Sequence, residues 1–153
     1  MKKVSILISV FALPALYMPV AAKQMSSPGG HTVVTTELRD GKPVYSITHN
    51  GKTLVKESPL GFIANIGDFT SGLVHEKDST GTFTADFKQD RIKHSNVSFK
   101  ANTLTSYYRN ADSKSMAIEW LVGDNDVAFR YVMPRQGDTG SAIIEREATG
   151  YSF

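Results

Sequence analysis

Carboxylates are the first residues to consider for chemistry, because a chain without cysteine would rely on aspartate and glutamate for catalysis. Glu145 and Glu147 are two residues apart, which on a strand places both side chains on one face, as an acid and nucleophile pair requires. The alternative, favoured by Arg146 between them, is a solvated strand face. Asp124 and Asp126 could offer oxygen ligands to calcium, but the rest of a calcium loop is absent, which favours a tight turn.

The residue types and their local spacing give little support for a metal or cofactor site. The absence of cysteine excludes thiol nucleophiles, zinc–cysteine sites and iron–sulfur clusters. No serine elbow (Gly-x-Ser-x-Gly) or phosphate-binding loop is present. A histidine site assembled across strands is the alternative left open, because no two of the histidines are spaced as neighbouring ligands. These histidines are His31, His49, His75 and His94.

Aromatic side chains are the better candidates for binding, because the apolar face of a sugar ring stacks on tryptophan or tyrosine. Tyr107, Tyr108 and Trp120 are the carbohydrate-binding candidates. The alternative is that they fill a core, which the apolar neighbours of Trp120 favour. Tyr107 and Tyr108 point to opposite faces of a strand, so at most one is buried and the other is the surface candidate.

The first 22 residues predict a secretory signal peptide, cleaved after Ala22. Lys2 and Lys3 form a positive start, Val4–Leu16 is apolar, and small residues precede the cleavage position. An uncleaved anchor is the alternative, but the apolar run is shorter than the roughly 20 residues that a span needs. We therefore expect an exported protein with no membrane association after cleavage.

Length and charge fit one exported domain. The chain has 153 residues, of which 41% are hydrophobic and 21% charged. It carries 17 basic and 15 acidic side chains, so loss of Lys2 and Lys3 with the signal peptide leaves a formally neutral chain. No basic block is available to follow a phosphate backbone, which argues against a nucleic-acid partner.

The remainder reads as a polar linker over residues 23–30 and an all-β domain over residues 31–153. Short alternating segments are separated by turn pairs such as Asp40-Gly41 and Asn50-Gly51, and helical spacing is missing. Many short strands without a helix favour an antiparallel β-sandwich or barrel. The predicted strands are Thr32–Leu38, Pro43–His49, a strand from Thr53, Leu60–Ile66, Gly72–Lys77, Thr82–Phe87, Ile92–Lys100, Leu104–Tyr108, Met116–Val122, Val127–Met133 and Ala142–Glu147.

Several longer strings carry a family resemblance. In their order and spacing they closely resemble the N-terminal domain of glycoside hydrolase family 97, over essentially the whole chain after the signal peptide. The strings are DGKPVYSI (residues 40–47) with NGK (50–52), SPLG (58–61), DFTSGL (68–73) and DVAFRY (126–131).

The resemblance implies a fold and separate roles for the domains of the enzyme. Family members resemble exported, calcium-dependent α-glucosidases and α-galactosidases of Gram-negative bacteria. Their N-terminal domain is a galactose-mutarotase-like supersandwich, followed by a catalytic (β/α)8 barrel. The resemblance places the catalytic carboxylates and the calcium ligands beyond Phe153, so it assigns no catalytic or metal residue here and implies an incomplete sandwich. Gly61 and Gly72 are expected in turns, and Arg130 is expected to be the partner of a buried or interdomain carboxylate.

Together these observations predict the non-catalytic N-terminal β-sandwich of an exported glycoside hydrolase. We expect it to bind α-linked oligosaccharide weakly, to pack against a catalytic barrel, and to be inactive alone, with no cofactor in this chain and calcium in the full-length family. The alternative is a stand-alone periplasmic carbohydrate-binding module. A chain that is itself an enzyme would instead turn over an aryl α-glucoside. The expected location is the periplasm or outer surface of a Gram-negative bacterium.

Overall fold

A computed structural model describes residues 22–88, 96–135 and 140–153. The predicted signal peptide up to residue 21, the start of the predicted strand at Ile92 and the candidate His94 lie outside this range. No described residue belongs to a helix long and apolar enough to cross a membrane. The described strands are β1 Lys23–Ser26, β2 Thr32–Arg39, β3 Lys42–His49, β4 Lys52–Pro59, β5 Phe62–Ala64, β6 Gly67–Asp68, β7 Val74–Lys88, β8 Asn96–Arg109, β9 Ser115–Val122, β10 Val127–Val132 and β11 Ile144–Glu147.

The first sheet is an antiparallel meander in the order β1-β2-β3-β4. Its hairpins turn at the two predicted dipeptides: φ is 50° and 74° at Asp40 and Gly41, and 47° and 75° at Asn50 and Gly51. Two successive residues with positive φ form the turn whose twist matches the flanking strands, and aspartate, asparagine and glycine tolerate that conformation best. The predicted hairpins at these positions are confirmed.

The N-terminal strand of this sheet differs from the sequence-based expectation. Residues 23–30 read as a linker, whereas β1 pairs with β2, from Lys23 opposite Thr36 to Ser26 opposite Val33. An edge strand needs only one hydrogen-bonded neighbour and can be polar on its exposed side, so hydrophobic alternation does not reveal it.

The second sheet, in the order β10-β9-β8-β7, contains a hairpin much longer than predicted. Gly72–Lys77 and Thr82–Phe87 were expected to be separate strands, but β7 runs without interruption from Val74 to Lys88. Ladder pairing continues through the segment between them, including Gly81 opposite Thr103. Cross-strand pairing with β8 therefore overrides the low strand propensity of this polar segment.

The two four-stranded sheets pack face to face around one hydrophobic core, which confirms an all-β, sandwich-like fold. The indole ring of Trp120 lies 5.3 Å from the ring of Tyr45 across the sheets. At one end, the Thr32 hydroxyl donates to the carbonyl of Asp124 at 2.8 Å. Fully buried residues from both sheets include Val34, Tyr45, Leu104, Met116, Ile118, Trp120 and Val122.

A small third sheet, in the order β11-β5-β6, continues the edge of the first. Beyond β4 the chain bends at Gly61, where φ is 120° and an added Cβ would collide with the carbonyl oxygen of Phe69. This confirms the turn expected at Gly61. The segment after β11 runs antiparallel to the end of β4. The N–H of Gly150 donates to the carbonyl of Pro59 at 3.0 Å, and the N–H of Lys56 donates to the carbonyl of Ser152 at 2.7 Å. Residues 148–153 therefore run along the outer edge of β4.

The far half of the β7–β8 hairpin, which we call the distal ribbon (residues 81–88 and 96–102), carries apolar side chains on one face. Phe83 and Phe87 are 43% and 46% exposed. Phe83 contacts Phe99 at 6.0 Å between ring centroids, and Phe87 lies opposite Val97. The other face carries threonine, serine, aspartate and lysine, so the ribbon is amphipathic.

This exposed face predicts dye binding. The double variant Phe83→Ser, Phe87→Ser should reduce the fluorescence of bound 8-anilinonaphthalene-1-sulfonate by roughly half, because it removes two large exposed rings. The matched control, Thr82→Ser with Thr84→Ser, changes the polar face of the same strand and should leave the fluorescence unchanged. Equal fluorescence in the two double variants would contradict this role for the ribbon.

Candidate functional site

The three predicted sugar-binding rings occupy different environments. Trp120 is fully buried and Tyr108 is 2% exposed, so the chain itself covers both rings. Tyr107 is half-buried on the opposite side of β8, and the ammonium of Lys77 lies 4.8 Å from the centre of its ring. The structure thus leaves Tyr107 as the most accessible of the three, and sugar binding by these residues stays a prediction.

The most prominent concave feature near a predicted residue is an aromatic groove of about 400 Å³ on the open side of the sandwich, between β3 and β10. Alternate residues of each strand point toward it, because side chains on a strand alternate between its faces. Trp120 forms its floor, with the ring of Phe129 at 4.9 Å. The residues lining it are Tyr45, Ile47, Trp120, Val127, Ala128, Phe129, Tyr131, Glu147 and Tyr151.

The tyrosine hydroxyl groups at the groove form hydrogen bonds with backbone groups and with the hydroxyl of a neighbouring threonine. The Tyr45 hydroxyl donates to the carbonyl of Gly150 at 2.9 Å. The Tyr131 hydroxyl accepts from the N–H of Gly61 at 2.7 Å and lies 2.7 Å from the Thr149 hydroxyl. Burial raises the pKa of Tyr45 to about 12, and burial likewise raises the pKa of Tyr131. Both phenols are therefore neutral at physiological pH.

The indole N–H of Trp120 is an exception to this pattern. It is buried and has no hydrogen-bond partner among the described residues. Most buried polar groups in native proteins are hydrogen-bonded, so an unsatisfied donor needs an explanation. Its ring borders the groove, while the N–H itself is covered by the chain.

The groove is poorly suited to acid–base catalysis. Glu147 is the only carboxylate among the described residues that line it. That carboxylate accepts a hydrogen bond from the Thr149 hydroxyl at 2.7 Å. Glycoside hydrolysis by paired carboxylates requires a second acid facing the same ligand. The arrangement is therefore suited to contact with apolar or ring-shaped groups.

A second polar cluster lies between β1, β7 and β8. Asp78 accepts hydrogen bonds from Ser106 at 2.7 Å and from the ring of His75 at 3.0 Å, and Lys23 lies 4.0 Å away. Burial would raise the pKa of Asp78, but the hydrogen bonds from His75 and Ser106 outweigh burial and lower it. Because Ser106 bonds to the aspartate and not to the histidine, the cluster lacks the serine–histidine bond that activates a nucleophile.

The acidic turn between β9 and β10 serves to connect the sheets. The carboxylate of Asp124 accepts from the N–H of Gly29 at 2.7 Å, and hydrogen bonds from Ser27 and Gly29 lower its pKa. Within the described ranges no three histidine, aspartate or glutamate side chains lie close enough to hold a metal ion. We therefore assign no residue to the calcium that the family resemblance implies.

The expectation that Arg130 pairs with a buried or interdomain carboxylate is wrong, because its partner lies in the neighbouring strand of the same sheet. The guanidinium of Arg130 forms an ion pair with Glu119 on the outer face of β9 and β10. The side chain of Arg130 is 71% exposed, so the pair lies on the surface. Pairs of this kind contribute little to stability.

Comparison with known proteins places the chain in a family. The family profile described as "Glycosyl-hydrolase 97 N-terminal" matches residues 25–153. The chain belongs to this family. A search of curated protein sequences finds no match.

Solved structures agree with the glycosyl hydrolase 97 assignment. A β-arabinopyranosidase is 38% identical, with a TM-score of 0.80 over 84% of this chain and 21% of that protein. A glycoside hydrolase family 97 enzyme from Pseudoalteromonas sp. strain K8, solved in complexes with panose and with acarbose, is 22% identical, with a TM-score of 0.74 over 83% of this chain and 20% of its own. The chain thus spans about a fifth of the length of these proteins.

The glycosyl hydrolase 97 profile was recognisable from the sequence strings, but the groove was not. Tyr45, Phe129, Tyr131 and Tyr151 come from three separate parts of the chain. Only their alternation with polar residues in two strands could have indicated a shared inner face. The sequence carries no signal for where the covering sheet stops, so the exposure of that face could not be predicted.

The Asp78 cluster makes stability depend on pH. Because the folded pKa of Asp78 is lowered, its contribution to stability is present above the ordinary value of about 3.9 and is lost as the pH falls through the folded value. Asp78→Asn should lower Tm at pH 7, and the difference from the unmodified chain should shrink toward pH 3. Asp86→Asn, an exposed control on the same strand, should show little difference at either pH. A decrease in Tm that is the same at pH 7 and pH 3 in Asp78→Asn would contradict the stabilising role of the ionised Asp78.

Proposed function

We propose that this chain is the non-catalytic N-terminal β-sandwich of an exported glycoside hydrolase, and that it packs against a catalytic barrel and binds carbohydrate weakly. The observation that carries the proposal is the match to the β-arabinopyranosidase, at 38% identity over 84% of this chain but only 21% of that protein. The matched region accounts for about a fifth of that glycosidase, and one carboxylate lies among the described residues that line the aromatic groove. Both features favour a structural role for this domain over a catalytic one.

We propose an α-glucosidase or α-galactosidase type of activity for the complete enzyme. This proposal is supported by two relatives: one is a β-arabinopyranosidase, and the other, from Pseudoalteromonas sp. strain K8, was solved in complex with panose and with acarbose.

Export is proposed from the sequence of residues 1–22, with the periplasm or outer surface of a Gram-negative bacterium as the destination. After cleavage, Lys23 would be the first residue, directly at the start of β1. The described domain would thus begin without an intervening tail.

A chimera tests the structural role. Residues 25–153 should replace the matched region of the β-arabinopyranosidase and preserve hydrolysis of an aryl β-arabinopyranoside, with kcat/KM within about tenfold of the parent. The isolated 153-residue chain should show no turnover of aryl α-glucoside, α-galactoside or β-arabinopyranoside. The control is the β-arabinopyranosidase with its matched region deleted, which should lose activity. Turnover by the isolated chain, or a folded but inactive chimera, would contradict the proposal.

Carbohydrate binding needs its own measurement, which also addresses the alternative of a stand-alone periplasmic carbohydrate-binding module. Isothermal titration of the chain with maltooligosaccharide and melibiose should give a Kd on the order of 1 mM. Tyr107→Ala should remove most of the heat, because Tyr107 is the predicted ring that remains accessible. Phe87→Ala, which removes an exposed ring on the distal ribbon outside the predicted set and outside the groove, is the matched control and should leave the heat unchanged. Absence of heat at millimolar sugar would exclude both carbohydrate binding and the stand-alone module.

A further inference from the structure

The strand β7 forms one edge of the second sheet and is 15 residues long. No described strand pairs with its outer side. Proteins usually protect such an edge with charges, proline, a bulge or a short strand, because its unpaired N–H and C=O groups can pair with another chain. A register shift between His75 and Lys77 interrupts the start of β7, but residues 79–85 (STGTFTA) contain neither charge nor proline. The centre of this edge is therefore open to pairing.

The two faces of β7 carry different side chains. Asp78 points toward the first sheet, where its carboxylate lies 4.0 Å from the ammonium of Lys23. Pairing with β8 continues from Asp78 to Lys88 without a shift, so alternation places the even-numbered residues of this stretch on the inner face. Phe83 lies on the outer face, where it is 43% exposed and contacts Phe99. A partner strand must match a polar, charged inner side and an aromatic outer side.

A second copy of β7 meets this requirement when it pairs antiparallel about a two-fold axis at Phe83. In this register, Phe83 lies opposite Phe83 of the second copy, and Asp78 lies opposite Lys88 of the second copy. Aromatic pairs, threonine pairs and pairs of opposite charge all stabilise an antiparallel contact. The remaining opposed pairs are Gly81 with Ala85 and Ser79 with Phe87 on the outer face, and Thr82 with Thr84 and Thr80 with Asp86 on the inner face.

Charge favours this register over its neighbours. An axis at Thr82 would place Asp78 opposite Asp86 of the second copy, and like charges directly opposite each other destabilise a strand pair. An axis one residue beyond Phe83 would leave Lys88 opposite a threonine and would separate the two phenylalanine rings. The axis at Phe83 gives charge complementarity twice, because the symmetry repeats the pair of aspartate and lysine.

We propose that two copies of this chain associate through β7 in this register and join their second sheets into one continuous sheet. The occupant is a second copy because the charges and the rings along this edge are complementary to themselves, as a two-fold interface requires. The inference goes beyond the proposed function and does not rest on it. A single pair of strands is a small interface, so we expect a reversible dimer with a Kd on the order of 10 µM. A polypeptide of different sequence is the competing occupant.

Sedimentation equilibrium of the chain over about 1–100 µM should show this monomer–dimer exchange. Phe83→Lys places two ammonium groups opposite each other at the axis and should raise the Kd by about tenfold or more. The matched control is Val132→Lys, which adds the same charge to an exposed apolar position of β10, at the other edge of the sheet, and should leave the Kd unchanged. Circular dichroism checks that both variants fold.

Two results of this experiment would overturn the inference. A chain that stays monomeric throughout the range would leave the edge to a polypeptide of different sequence. A dimer that both lysine variants weaken equally, or that neither variant weakens, would not be formed through β7.

Engineered cysteines test the register, because the chain has no cysteine of its own. Thr82 lies opposite Thr84 of the second copy, where Cβ atoms are about 5 Å apart, whereas each threonine lies diagonally at about 7–8 Å from its own equivalent. Under mild oxidation, a mixture of Thr82→Cys and Thr84→Cys chains should therefore form several times more disulfide-linked dimer than either variant alone. Equal yields from the mixture and from the separate variants would overturn the proposed register.

Discussion

The packing of Tyr45 against Trp120 across the two sheets is the contact on which the rest of the arrangement depends. Both rings are buried, and Phe129 contacts each of them. Burying one such ring stabilises the fold by on the order of 4 kcal/mol, using about 25 cal/mol per Å² of apolar surface. This cluster fixes which strands of the first sheet lie over which strands of the second, and hence where the second sheet ends relative to the first.

That relative position has a direct consequence for the surface. Because β10 lies over β3, no described strand lies opposite β4 and the segment beyond β11, and residues of both line the cavity beside the groove. The hydroxyl of Tyr45 also reaches across to the carbonyl of Gly150. One residue therefore contributes its ring to the core and its hydroxyl to holding the edge segment. The aromatic groove is a product of core packing rather than a separate loop-built site.

The sequence predicted the features that local chemistry determines. Asn50-Gly51 specifies its turn because both residues tolerate positive φ, and the apolar neighbours of Trp120 favoured the core position that it occupies. The sequence did not predict β1, because its polar residues pair with β2 only through backbone groups. Nor did it predict that β7 continues through Gly81, because that continuity depends on pairing with Thr103 in another strand. The groove likewise depends on how far one sheet extends past the other, a tertiary quantity with no local sequence signal.

The acidic side chains illustrate the same distinction. Asp124 holds the N–H of Gly29 and thereby connects the two sheets, and Glu119 neutralises Arg130 on the surface. Asp78 links three strands through His75 and Ser106. Each of these carboxylates forms a structural hydrogen bond or ion pair, which a residue's position in the sequence does not reveal. The aromatic groove and the distal ribbon, by contrast, present aromatic and aliphatic side chains at the surface of the described domain.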